Sequence, residues 1–133
     1  MKTINHTLML GMAVATLLVA TGCQSVSTTA TQYIGVPQSA PVDPTHVQIL
    51  RTEPTRPNVR IGEVRAVTSS PDVAVSKIEE SLREKAAKIG ADAVVVVHDT
   101  TQVTGAQVVG GWFNRSIMTT EGRVIIGIAI KYK

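Results

Sequence analysis

The chain has 133 residues and one cysteine, with a formal net charge of +3 and 17% charged residues. That length accommodates one domain. The cations are scattered from Arg51 to Lys133 without forming a stripe, which excludes the basic patch that nucleic-acid binding requires. The single cysteine excludes an internal disulfide framework.

Met1 to Thr7 holds one cation, Lys2, and no acid, and Leu8 to Ala20 carries no charge at all. The uncharged run is shorter than the roughly 20 residues a bilayer-spanning helix needs. It fits the apolar region of a signal peptide, with small residues at the cut site. Val19-Ala20-Thr21-Gly22-Cys23 then resembles the lipobox of bacterial lipoproteins. The resemblance implies cleavage of residues 1–22 between Gly22 and Cys23. It also implies a thioether-linked diacylglyceryl group on Cys23 and an acyl group on its new amine. Several acyl chains exceed what stable membrane anchoring needs. Gln24, where an Asp would favour inner-membrane retention, points to a lipid-anchored protein of the outer membrane facing the periplasm.

Residues 23–45 are expected to form the lipidated N-terminus and a flexible linker. The stretch is rich in Ser and Thr and contains Pro37, Pro41 and Pro44, which remove backbone donors and restrict the residues before them. Tyr33-Ile34-Gly35-Val36 is its apolar break, suited to docking on a partner or on the domain.

The domain is expected over residues 46–133. Val47 to Leu50 reads as a short strand, and Arg51 to Asn58, with two prolines and alternating charge, as a loop. Val59 to Val67 is the next strand, with Gly62 marking a bulge or close approach. Ser70 before Pro71 and Asp72 reads as a helix start. The helix is expected from Pro71 to Ile89, with Val75, Ile78, Leu82, Ala86 and Ile89 as its apolar stripe and Gly90 as its stop. Four consecutive valines, Val94 to Val97, mark a central strand. Gln102 to Val109 extends it until Gly110-Gly111, and Trp112-Phe113 falls in a loop. Glu121 to Lys131 is the last strand, with Val124, Ile126, Ile128 and Ile130 on one face. The opposite face, bearing Gly127 and Ala129, is small-sided and calls for a further cover. The expected fold is α+β: a β-β-α-β-β two-layer domain with one amphipathic helix on a mostly antiparallel sheet.

Ile61-Gly62-Glu63-Val64, then Ala87-Lys88-Ile89-Gly90-Ala91-Asp92-Ala93-Val94-Val95, and Gly127-Ile128-Ala129-Ile130 resemble segments of a domain shared by RcsF-like outer-membrane lipoproteins and YbjQ-like small proteins. The resemblance runs from Val47 to Tyr132. It implies an envelope-sensing role through contact with other envelope proteins, or, on the YbjQ-like side, a metal-binding or ring-forming homo-oligomeric module. RcsF-like domains carry two disulfides; here the neighbourhood of one of their cysteines reads His98-Asp99-Thr100.

His98-Asp99 is the compact polar pair on a core strand, and His98 is a weak metal candidate. Neighbours on a strand face opposite ways, so a metal site would need His46, Glu53 or Asp92 to fold nearby. No nucleophile, base and stabiliser assemble from the sequence, and no phosphate loop or zinc spacing occurs. A non-enzymatic protein without a cofactor is therefore expected. The candidate partner contacts are Arg51, Arg56 and Arg60 in the stiff charged loop, and Trp112, Phe113 and Arg115, since exposed aromatics beside Arg are common binding anchors. The alternative for Trp112 is to fold back over the open sheet face.

Overall fold

The computed structural model describes residues 25–133, so the signal-peptide, cleavage and lipidation expectations at residues 1–22, Gly22 and Cys23 lie outside the described residues. The fold is α+β, with one helix on a five-stranded, mostly antiparallel sheet. The elements are β1 (Val26–Gln32), a 3-10 turn (Pro44–His46), β2 (Gln48–Leu50), β3 (Asn58–Thr68), α1 (Val75–Lys88), β4 (Ala93–Gly111) and β5 (Asn114–Tyr132). The sheet order is β1-β3-β5-β4-β2; β2 pairs with β4 in parallel and the other neighbours are antiparallel. Helix α1 connects β3 to β4, which run the same way with β5 between them, a split β-α-β unit.

The expected β-β-α-β-β order is present, with β1 added at the front. The expectation of a flexible linker over residues 23–45 gives way where the chain is described. Val26 to Gln32 alternate exposed and covered positions, and Thr, Val and Ser suit an edge strand with one solvated face. Val26 and Ala30 pack on the core, and Thr28 Oγ1 lies 2.6 Å from Ser81 Oγ of α1. Farther on, Val36 and Val42 also pack on the core, and the Val42 amide donates to the Ala87 carbonyl at 3.0 Å. The prolines therefore shape a strap across the helix end instead of a spacer.

Helix α1 begins at Val75, later than the expected Pro71. Ser70 does not cap it: its Oγ accepts from the Asp72 amide at 3.3 Å, closing a separate turn. Burial of Val73 in the core takes the chain out of helical geometry before Ala74, whose carbonyl then accepts from Lys77 and Ile78. Ile78, Leu82, Ala86 and Ala87 are the buried face. Gly90, at φ 77°, ends the helix as expected, with Ala91 N donating to Ala86 O at 3.1 Å.

The core lies between α1 and one face of the sheet and includes Ile61, Val64, Ala66, Val94, Ile125 and Ala129. The small-sided face of β5 is thus the one beneath the helix. Ile126, Ile128 and Ile130 lie on the outer face, where Ala93, Val95 and Ile130 form a second, smaller cluster edged by Leu50 and Tyr132. Gly127 fits the helix side because a Cβ there would run into Val94 Cγ1. The pairing irregularity expected at Gly62 occurs between Arg60 and Gly62.

Gln102 to Val109 extends β4 as expected, and Trp112-Phe113 follows at a turn. The difference is in β5, which begins at Asn114 and not at Glu121, so β4 and β5 stay paired down to Gly111 and Asn114. The pairing of β3 with β5 stops at Val67 and Val124, and β2 pairs with β4 only at residues 93–95. Beyond that level β4 and β5 form a two-stranded ribbon with Trp112-Phe113 at its turn.

Candidate functional site

Two features stand out from the scaffold: an ion network at the root of the ribbon, and the ribbon itself.

The network grows from Asp99. The pleat of β4 sends Asp99 and His98 to opposite sides, as the strand period requires. Arg123 on β5 holds Asp99 with two hydrogen bonds, Nε to Oδ1 at 2.6 Å and Nη2 to Oδ2 at 2.8 Å. Arg51, just after β2, donates to Asp99 Oδ2 at 3.0 Å and to Glu79 Oε1 of α1 at 3.1 Å. Arg83 lies 3.8 Å from Glu79 and donates from Nε to the Val47 carbonyl at 3.2 Å. The network therefore ties β2, α1, β4 and β5 together. The hydrogen bond from Arg123 is the main reason the Asp99 carboxyl is held below the usual carboxylate range, with Arg51 adding to it against the opposing effect of burial. The same bond raises the Arg123 guanidinium above its ordinary value. A carboxylate held this way is a poor base, since its charged form is stabilised by two fixed cations.

His98 is exposed, and its Nε2 lies 3.0 Å from Thr100 Oγ1. The residues that a metal site would need do not join it. Glu53 pairs with Arg60 at 3.0 Å. Asp92 accepts from the Tyr132 amide at 2.9 Å and lies 3.6 Å from Lys131 Nζ. His46 sits in the 3-10 turn before β2. Among the described residues, no three His, Cys, Asp or Glu side chains are grouped to hold a metal ion.

The three arginines expected as contacts are all engaged within the domain. Arg51 belongs to the network, Arg60 pairs with Glu53, and the Arg56 guanidinium lies 4.5 Å from the centre of the Tyr132 ring. The loop between β2 and β3 thereby crosses the outer sheet face, leaving a cavity of about 260 Å³ bounded by Arg51, Glu53, Arg60, Val95, Ile128 and Ile130. A broader groove of about 790 Å³ runs between β2 and α1, past Gln48, Leu50, Glu80 and Arg83.

The ribbon residues are free by contrast. Trp112 is 79% exposed, Phe113 98% and Ile117 73%, so Trp112 stands at the tip and does not fold back over the sheet. Arg115 lies with its guanidinium 5.5 Å from the Trp112 ring centre. Gly110, at φ 112°, permits the turn, because a Cβ there would strike the Asn114 carbonyl. The sequence marks Trp112, Phe113 and Arg115 as one group, and the turn brings them to one end. The sequence reading missed the length of the ribbon and the Asp99–Arg123 pair. A signal for the ribbon was present: the turn residues Gly110-Gly111 and Asn114 flank Trp112-Phe113 between two runs of β-forming residues of similar length.

No protein-family model matches the chain, and a search of curated proteins finds no match. Among solved structures, the fold is similar to that of a Francisella virulence factor, FvfA, with a TM-score of 0.50 and 13% identity. The match covers 79% of this chain and 98% of that one, a likeness of fold.

Proposed function

We propose that the chain is a non-enzymatic lipoprotein of the outer membrane, anchored through Cys23 and facing the periplasm, whose domain makes contacts within the cell envelope. The observation that carries the contact reading is the ribbon, whose aromatic tip projects past the sheet. A large exposed apolar group of this kind is a contact surface, because a monomeric soluble domain gains nothing from leaving it in water. The locking of Asp99 between Arg123 and Arg51 supports a non-catalytic reading of the His98-Asp99 pair.

Two substitutions and a crosslinking experiment test this. Cys23→Ser removes the protein from the outer-membrane fraction; a variant still retained there contradicts the anchor. Photo-crosslinkers on the ribbon, at Phe113 or Ile117, capture an envelope component in cells, protein or lipid. Capture of the chain by itself alone would favour the ring-forming alternative. A metal-binding alternative requires binding that His98→Ala abolishes.

A further inference from the structure

We infer that the β4–β5 ribbon is a second membrane contact, lying in the lipid headgroup layer beside the N-terminal anchor with Trp112 and Phe113 in the interface. This rests on the anchored reading above and names the occupant of the ribbon.

The first argument is where the chain enters the fold. Ser25 is fixed to Ser69: its amide donates to Ser69 Oγ at 3.1 Å and its carbonyl accepts from the Ser69 amide at 3.1 Å. Val26 pairs with Thr68, Val67 with Val124, and Val124 with Thr100. The start of β1 and the root of the ribbon therefore lie in one row across the sheet. Strand β1 runs away from that row, so the described chain enters the domain, at Ser25, at the ribbon's end of the sheet. Cys23 is two residues upstream, within about 7 Å of chain. With β1 folded into the sheet, almost no tether remains between anchor and domain.

The second argument is reach. From Gln102 to Trp112 the ribbon extends about 33 Å at strand rise, several times the slack between Cys23 and Ser25. A lipid on Cys23 thus brings the membrane surface within the ribbon's span.

The third argument is composition. Between Gln102 and Thr120 the only charged residue is Arg115, and Val103, Val108, Ile117 and Met118 are exposed along with the two aromatics. Trp favours the membrane–water interface, and Arg keeps its head among lipid headgroups while its stem stays apolar. A two-stranded hairpin is marginal in water without a packed face, and a surface beneath it supplies one. Its open edges carry unpaired backbone groups that hydrocarbon does not tolerate, which places the ribbon along the wet headgroup layer and not across the bilayer.

Trp112 is the chain's single tryptophan, so its fluorescence reads the tip directly. The protein purified from membranes is reconstituted into mixed phosphatidylethanolamine–phosphatidylglycerol vesicles, with and without brominated acyl chains. The expected result is a blue shift of Trp112 emission, quenching by the brominated lipid, and loss of both in the Phe113→Asp, Ile117→Asp double variant. Emission that acrylamide quenches equally with and without vesicles, and that brominated lipid leaves unchanged, overturns the proposal. Shielding from acrylamide that grows with protein concentration, without quenching by brominated lipid, assigns the ribbon to a second copy and also overturns it. Fractionation of Cys23→Ser reads the anchor alone, so failure of the anchor and failure of the ribbon contact give separate results.

Discussion

Asp99 shows how a single residue takes its meaning from partners distant in sequence. It lies 24 residues from Arg123 and 48 from Arg51, so the sequence displays only its neighbour His98, which faces the other way. Both groups of the Asp99–Arg123 pair are about three-quarters covered, so screening reduces what the pair contributes without abolishing it. Asp99→Asn is expected to lower stability by about 1–2 kcal/mol at neutral pH, measured by urea unfolding. The direction with pH follows from the lowered carboxyl. Its contribution is full above the unfolded value of about 3.9 and is lost as pH falls through the depressed folded value. The gap between wild type and variant therefore closes in strong acid. Gly127 shows the steric counterpart. A β-carbon on it meets Val94 beneath the helix, so Gly127→Ala is expected to destabilise by about 1–3 kcal/mol.

Among the elements, α1 and the valine strand are the most legible, because apolar spacing and a run of β-branched residues signal them locally. The stop at Gly90 was legible for the same reason. The helix start was not, because burial of Val73 overrides the Ser-Pro-Asp signal. Strand β1 was hidden by its composition: an edge strand with one solvated face and few large apolar residues looks like a linker, and its partners in β3 lie from Gly62, opposite Gln32, to Thr68, opposite Val26, far along the chain. Hydrogen exchange distinguishes the two. Amides in residues 26–32 are expected to exchange slowly, whereas a linker exchanges at the rate of unstructured peptide. The strap across the helix end gives a second test. Gly90 combines a positive φ with close contact to Ser39 and Ala40, so Gly90→Ala is expected to cost about 1–2 kcal/mol in the same unfolding assay.

For the whole molecule, the arrangement places the chain's entry beside Ser69 and the ribbon rooted at Thr100 and Val124 at one end of the sheet. Substituting Trp112 and Phe113 by Ser is expected to change folding stability by no more than about 0.5 kcal/mol in urea unfolding, since exposed positions contribute little to it, while removing the proposed membrane contact. The grouping of Trp112, Phe113 and Arg115 was legible in the sequence. Its place at the same end of the sheet as Ser25 was not, because that depends on β1 entering the sheet at the ribbon's root. The anchor remains the central claim, and mass spectrometry tests it most directly. Arg51 is the first Lys or Arg after Cys23, so trypsin releases the N-terminus of the membrane-purified protein as one peptide. The account predicts a peptide from Cys23 to Arg51 carrying the mass of a diacylglyceryl group and an acyl chain. An unmodified peptide running from Thr3 to Arg51 would contradict it.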